Sequence, residues 1–88
     1  MSQLQFSEEA WLDYLTLQSD DKQATKKLHA LLKEIMRTPF EGTGKPEPLR
    51  EYAGEYWSRR INQKDRLVYK FADGVLYIAS CKGHYDDK

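Results

Sequence analysis

The stretch Tyr56–Cys81, YWSRRINQKDRLVYKFADGVLYIASC, decides the fold. Tyr56–Asn62 alternates Trp57, Arg59 and Ile61 with Tyr56, Ser58, Arg60 and Asn62, the period of two that a strand requires. Arg66–Phe71 sets Leu67, Tyr69 and Phe71 against Arg66, Val68 and Lys70 in the same way. Asp73-Gly74 then supplies the residues that tolerate positive φ in a tight hairpin turn, and Val75–Cys81 follows as a third strand. A short turn, Gln63-Lys64-Asp65, joins the first two.

Upstream, the pattern changes period. Leu4-Gln5-Phe6 alternates and predicts a short first strand. Ser7 is placed to cap a helix, with Glu8 and Glu9 in its first turn beside the positive end of the helix dipole. Trp11, Tyr14 and Leu15 fall at i, i+3, i+4 and suggest one apolar face. Ser19-Asp20-Asp21 breaks that helix, and Asp20 with Gln23 resembles the capping box of a second. There Leu28, Leu31, Leu32, Ile35 and Met36 give the best helical periodicity in the chain, and Thr38-Pro39 ends it. Residues 38–55 carry three prolines and three glycines and read as a loop without a long regular element. The order is β-α-α-β-β-β: an α+β fold with two helices packed on one face of a mainly antiparallel sheet.

Eighty-eight residues suffice for a single domain over 1–88. A hydrophobic content of 40% and a charged content of 32% describe an ordinary globular chain. No apolar run reaches the roughly 20 residues of a membrane helix, and the first residues lack the pattern of a signal peptide. One cysteine, Cys81, cannot close an internal disulfide, and two histidines with it cannot complete a four-ligand zinc site. The expectation is a cytoplasmic protein without metal or cofactor, with Cys81 a small buried hydrophobe. Net charge is zero, which by itself argues against nucleic acid. Its distribution permits a basic patch, because residues 45–70 hold seven basic and four acidic side chains, although so modest an asymmetry also fits a solvated mixed surface.

Helices on one face leave the other partly solvated. Arg60 and Arg66, on consecutive strands, can project from that open face and converge, or each can be a solvated charge beside a carboxylate. Arg59 alternates to the opposite side, where it spans the strand–helix layer or pairs with an acid. Glu47 lies between Pro46 and Pro48, which stiffen its loop, although a loop glutamate is commonly just solvated. His84-Tyr85 follows the last apolar run and can equally be a packing element. Taken together, these residues match one chemistry. Cleavage of RNA without metal needs a base for the 2′-hydroxyl, an acid for the departing 5′-oxygen, and cations for the charge on the phosphoryl oxygens. Glu, His and several Arg fit those roles, and an exposed Tyr can stack on a splayed base.

The strings Arg37-Thr38-Pro39-Phe40-Glu41-Gly42, Gly44-Lys45-Pro46-Glu47-Pro48-Leu49, Trp57-Ser58-Arg59-Arg60-Ile61, Arg66-Leu67-Val68-Tyr69 and Ser80-Cys81-Lys82 with His84-Tyr85 carry a resemblance. With the Ser7-Glu8-Glu9 and Trp11 start, they resemble, nearly end to end, the YoeB toxins of bacterial type II toxin–antitoxin systems, within the RelE/ParE superfamily. The resemblance implies a ribosome-dependent endoribonuclease that cuts translated mRNA in the A site. It also implies a YefM-like antitoxin as inhibitor, and a homodimer. By motif position Glu47 would be the general base, His84 the general acid, Arg66 the transition-state stabiliser, and Tyr85 would orient or stack on substrate. Lys45, Arg50 and Arg60 would bind phosphate. The chain departs from the pattern at Gly83, where relatives often have a larger side chain. It also continues as Asp86-Asp87-Lys88 past the His-Tyr pair, and has Arg50 where Lys is common. A binding-only toxin of the ParE type that inhibits gyrase is the alternative on this fold, and a silent peptide-binding module is a third reading.

Overall fold

Ser7 turns the chain from strand into helix, and its hydroxyl serves both sides of the junction. It accepts from the Ala10 amide at 3.0 Å as a helix cap and donates to the Ala79 carbonyl at 2.9 Å in the sheet. The computed structural model in which these contacts are seen describes residues 3–50 and 55–82. Its elements are β1 (Gln3–Phe6), α1 (Glu8–Asp20), α2 (Lys22–Arg37), β2 (Glu47–Pro48), β3 (Trp57–Arg60), β4 (Arg66–Ala72) and β5 (Val75–Ser80). The α+β expectation holds, with one strand more than anticipated. The five strands run in the order β1-β5-β4-β3-β2, with β1 parallel to β5 and every other pair antiparallel.

Asp21 joins the two helices. Its amide donates to the Leu17 carbonyl to close α1, while its side chain accepts from the Ala24 amide at 3.0 Å to open α2. The cap is therefore Asp21, one residue beyond the expected Asp20. On α2 the periodicity is realised: Leu28, Leu31, Leu32 and Ile35 are buried against the sheet, with Met36 at the margin. Burial of each such side chain contributes about 1.5–3 kcal/mol, so this helix anchors the layer.

The buried face of α1 differs from the one its apolar spacing predicts. Ala10 and Leu17 are buried, whereas Trp11 and Leu15 are 48% and 41% exposed. Trp11 instead joins Phe6 and Tyr14 in a partly exposed aromatic cluster with ring centroids 5.6–6.0 Å apart. An aromatic side chain scores as apolar in any periodic count, yet its edge can stay wet while its face packs on a neighbour.

The β4–β5 hairpin turns through Asp73 and Gly74, at φ 53° and 76°, as the dipeptide predicted. Leu67 and Tyr69 of β4, with Leu76 and Ile78 of β5, face the helices and complete the core. Cys81 is buried at the end of β5, its thiol 3.6 Å from the Ala10 carbonyl. Burial, then the nearby Asp13 and Asp65 carboxylates, push that thiol up to about 12. It is a packing residue.

Candidate functional site on the open face of the sheet

Two devices determine how the open face is laid out. The first is the turn between β3 and β4. The Asn62 side-chain oxygen accepts from the amides of Lys64 at 3.0 Å and Asp65 at 2.8 Å, and its amide group donates to the Asp65 carboxylate at 3.2 Å. Such an Asx turn fixes the reversal and ends β3 at Arg60, two residues before the sequence pattern does. It also places Arg60 and Arg66 directly opposite each other.

The second device is Arg59, fully buried on the helix side of β3. All five of its N–H donors have acceptors. Nε donates to the Tyr69 hydroxyl at 3.1 Å. One terminal nitrogen donates to Glu34 Oε1 at 2.7 Å and the Thr43 carbonyl at 3.2 Å. The other donates to the carbonyls of Thr38 and Glu41, each at 2.8 Å. The Tyr69 hydroxyl donates in turn to the Pro39 carbonyl at 2.7 Å. One guanidinium thus ties α2, the 38–43 loop and the sheet together. The Thr43 amide on the Glu34 carboxylate, helped by its hydroxyl and by Arg59, holds that carboxyl below the ordinary carboxylate range. The pairing of Arg59 with an acid in the strand–helix layer is as expected from its alternation.

Gly42 and Gly44 let the loop lie close. A Cβ on Gly42 would stand 2.8 Å from the Glu34 carboxyl carbon, and one on Gly44 would stand 3.0 Å from the Arg60 carbonyl, both at positive φ. The Arg60 amide donates to the Gly44 carbonyl at 2.7 Å. From there the chain passes through Lys45, exposed and at φ 54°, into β2.

Glu47 is therefore a strand residue on an edge of the sheet, not a loop residue. It pairs with Ser58, and the Leu49 amide extends the ladder to the Tyr56 carbonyl at 2.8 Å. A two-residue strand with prolines around it carries no periodic signal, which is why the sequence reads it as loop.

Because paired residues point to the same side, the charged and aromatic groups of the open face fall in three of its rows. Arg60 and Arg66 make the first. Glu47, Ser58, Val68 and Ser80 make the second, one from each of four adjacent strands. The third is Lys70 with Tyr77 opposite it on β5 and Tyr56 beyond β3. Lys70 Nζ lies 5.5 Å from the Tyr56 ring centroid, 5.0 Å from that of Tyr77, and 4.0 Å from the Glu55 carboxylate. The Ser58 hydroxyl, fully buried in the middle row, has no hydrogen-bond partner among the described residues. Strand spacing puts the backbones of Glu47 and Arg66 about 10–12 Å apart across β3, within joint reach of their side chains for one phosphate.

Arg60 and Arg66 are partners in register, with Glu47 in the next row. Arg50 is exposed immediately before residues 51–54. His84, Tyr85, Gly83 and the Asp86-Asp87-Lys88 extension lie outside the described residues. The third row has no signal in the sequence as a unit, since alternation shows that Tyr56 and Lys70 share a face but not that they meet. Among the described residues no group of three or more His, Cys, Asp or Glu is arranged to hold a metal ion, and no helix is long and apolar enough to cross a membrane.

An α+β fold with a charged open face defines a class to which known proteins can be compared. Residues 6–85 match the family model described as the YoeB-like toxin of bacterial type II toxin–antitoxin systems. Toxin YoeB of Escherichia coli is 52% identical over 80 residues, 91% of this chain and 95% of that one. The YoeB dimer structure from Staphylococcus aureus superposes with a TM-score of 0.89 at 47% identity, covering 96% of this chain and 98% of that one. YoeB in the heterotetrameric YoeB–YefM toxin–antitoxin complex of Staphylococcus aureus superposes with a TM-score of 0.86 at 46% identity, covering 97% and 99%. The chain belongs to the YoeB-like toxins of bacterial type II toxin–antitoxin systems.

Proposed function

We propose that this toxin is a ribosome-dependent, metal-independent endoribonuclease that cuts translated mRNA in the A site. The observation that carries the reading is Arg60 opposite Arg66, with Glu47 in the adjacent row of the same face. Like charges directly opposite each other on neighbouring strands cost stability, about 0.2–1 kcal/mol. A phosphate between them reverses the sign, because guanidinium forks suit its oxygens.

In this reaction Glu47 takes the proton of a 2′-hydroxyl, and the freed oxygen attacks the adjacent phosphorus. The bond to the 5′-oxygen breaks as His84 protonates it, leaving a 2′,3′-cyclic phosphate and a 5′-hydroxyl. Arg66 and Arg60 stabilise charge on the phosphoryl oxygens. Tyr85 orients or stacks on the substrate, and Lys45 and Arg50 add electrostatic attraction.

A YefM-like antitoxin would silence the toxin by covering the open face or a sheet edge, a reading supported by the complex of the Staphylococcus aureus relative. A homodimer is proposed on the same ground, and the site of action is the cytoplasm. Translated mRNA in a cell extract, incubated with wild type and with His84→Ala, tests the reading. Wild type should cut and the variant should not. Equal cutting by both, or no cutting by wild type, would overturn it. An intact antitoxin complex that cuts at full rate would overturn the inhibition.

A further inference from the structure

The third row of the open face has no part in the proposed reaction, and its construction is unusual for surface residues. A strand lysine ordinarily extends into water, where its ammonium is best hydrated. Lys70 instead lies between two aromatic rings, its side chain 30% exposed and its Nζ within 5.5 Å of both centroids. Tyr77 belongs to β5 and Tyr56 immediately precedes β3, the two strands flanking β4, so the row lies over the middle of the sheet, not its edge. Glu55, the acid beside Lys70, is 66% exposed and at the 4.0 Å limit of an ion pair. Such a contact is weak and easily exchanged for another anion.

A ring face that attracts an ammonium also attracts a nucleobase, and an ammonium so placed attracts a phosphate. If an anion draws Nζ outward, the ring faces it covered become available for stacking. Aromatic faces beside a cation are what single-stranded nucleic acid engages when binding does not depend on hydrogen bonds to base edges. Position supports the same occupant. Lys70 is four residues from Arg66 on the same strand face, about 13 Å. Between them lie the small side chains Ser58, Val68 and Ser80. Two cationic rows on one face suit a phosphodiester chain better than they suit an apolar peptide.

Resting on the endoribonuclease reading, we infer that Tyr56, Lys70 and Tyr77 form a subsite for an unpaired nucleotide flanking the scissile phosphate. The base stacks on a tyrosine ring and its phosphate meets Lys70.

Full-length Tyr77→Leu, Tyr77→Phe and Lys70→Gln test it, with unchanged melting showing that each folds. Cleavage is measured against the concentration of programmed ribosomes. Binding is measured to an RNA oligonucleotide lacking the 2′-hydroxyl at the cut. Tyr77→Leu should raise KM and weaken oligonucleotide binding roughly 5- to 10-fold, the low end for one stacked base, with kcat within about twofold. Tyr77→Phe, which keeps the ring, should behave as wild type. Lys70→Gln should weaken binding and reduce its salt dependence by about one ion. Wild-type KM and binding in both Tyr77→Leu and Lys70→Gln would overturn the subsite. So would a loss confined to antitoxin affinity, which would assign the row to the protein partner. If wild type binds the oligonucleotide with this pattern but cuts no mRNA, the reaction falls and the nucleotide site stands.

Discussion

Arg59 and Arg60 are adjacent on β3, and the sheet separates them into different roles. Arg59 points to the helices, where a hydroxyl, a carboxylate and three backbone carbonyls use all of its donors. Arg60 points to the open face, exposed and opposite another arginine. The same side chain is saturated by its own fold on one side and exposed on the other. A guanidinium saturated by the protein has no donor left for another partner, whereas in the proposed reaction a phosphate would meet both members of the like-charged pair. The helix face should therefore respond to substitution in stability and the open face in activity.

The largest effect on the open face should come from Glu47. Replacing it by Gln should lower cleavage of translated mRNA roughly 10²–10⁴-fold, the usual share of a general base, while melting stays put because the side chain is exposed. A variant that cuts at the wild-type rate removes Glu47 from the reaction. One that melts early shows that the open face carries stability as well.

Arg59→Ala should do the reverse. It removes a fully buried side chain and leaves the carbonyls of Thr38, Glu41 and Thr43 without their donor, while the Tyr69 hydroxyl keeps the Pro39 carbonyl; losing such a set costs about 3–5 kcal/mol. For a domain of this size that lowers Tm by more than 10 °C. Thermal melting of Arg59→Ala beside Arg60→Ala is the direct comparison, and equal Tm values would erase the distinction between the two faces.

Arg66→Lys sharpens the open-face side. It preserves the charge and loses the planar fork. Cleavage should fall roughly tenfold, less than the 10²–10³ that follows deletion of a transition-state donor. Full activity would mean that only bulk charge matters there.

The smallest effect is a pH dependence on the helix face. Glu34 titrates below its ordinary value of 4.5 in the folded chain. The folded state thus binds its proton less readily than the unfolded state does. The stabilisation is fully present above that ordinary value and is lost as pH falls through the folded one. Glu34→Gln should melt below wild type at neutral pH, and the gap should narrow on acidification under the acid limb. A gap that is constant with pH would assign the contribution of Glu34 to packing alone.

Much of the architecture was legible because it is written in short-range patterns. The α2 periodicity, the Ser7 cap, the Asp73-Gly74 turn and the alternation of β3 and β4 each need only a few consecutive residues. The candidate site was legible in identity, since Glu47, Arg60 and Arg66 stand out chemically. It was less legible in arrangement: Glu47 looks like a loop residue until β3 is beside it. Aromatic Trp11 misled because counting apolar spacing cannot distinguish a core contact from a half-wet ring.

What the chain determined by itself, then, was where the helices and the longer strands lie and which side of those strands each side chain takes, because period and turn chemistry are local. Tertiary structure decided the rest. It paired Arg60 with Arg66 through the Asn62 turn, set Glu47 on an edge strand, and brought Thr38, Glu41 and Thr43 to Arg59. It also gathered Tyr56, Lys70 and Tyr77 into one row. Each of these depends on strand register or on a close packing of the 38–45 loop. Register is fixed by which hydrophobic set the helices bury, a property of the assembled layers and not of any one segment.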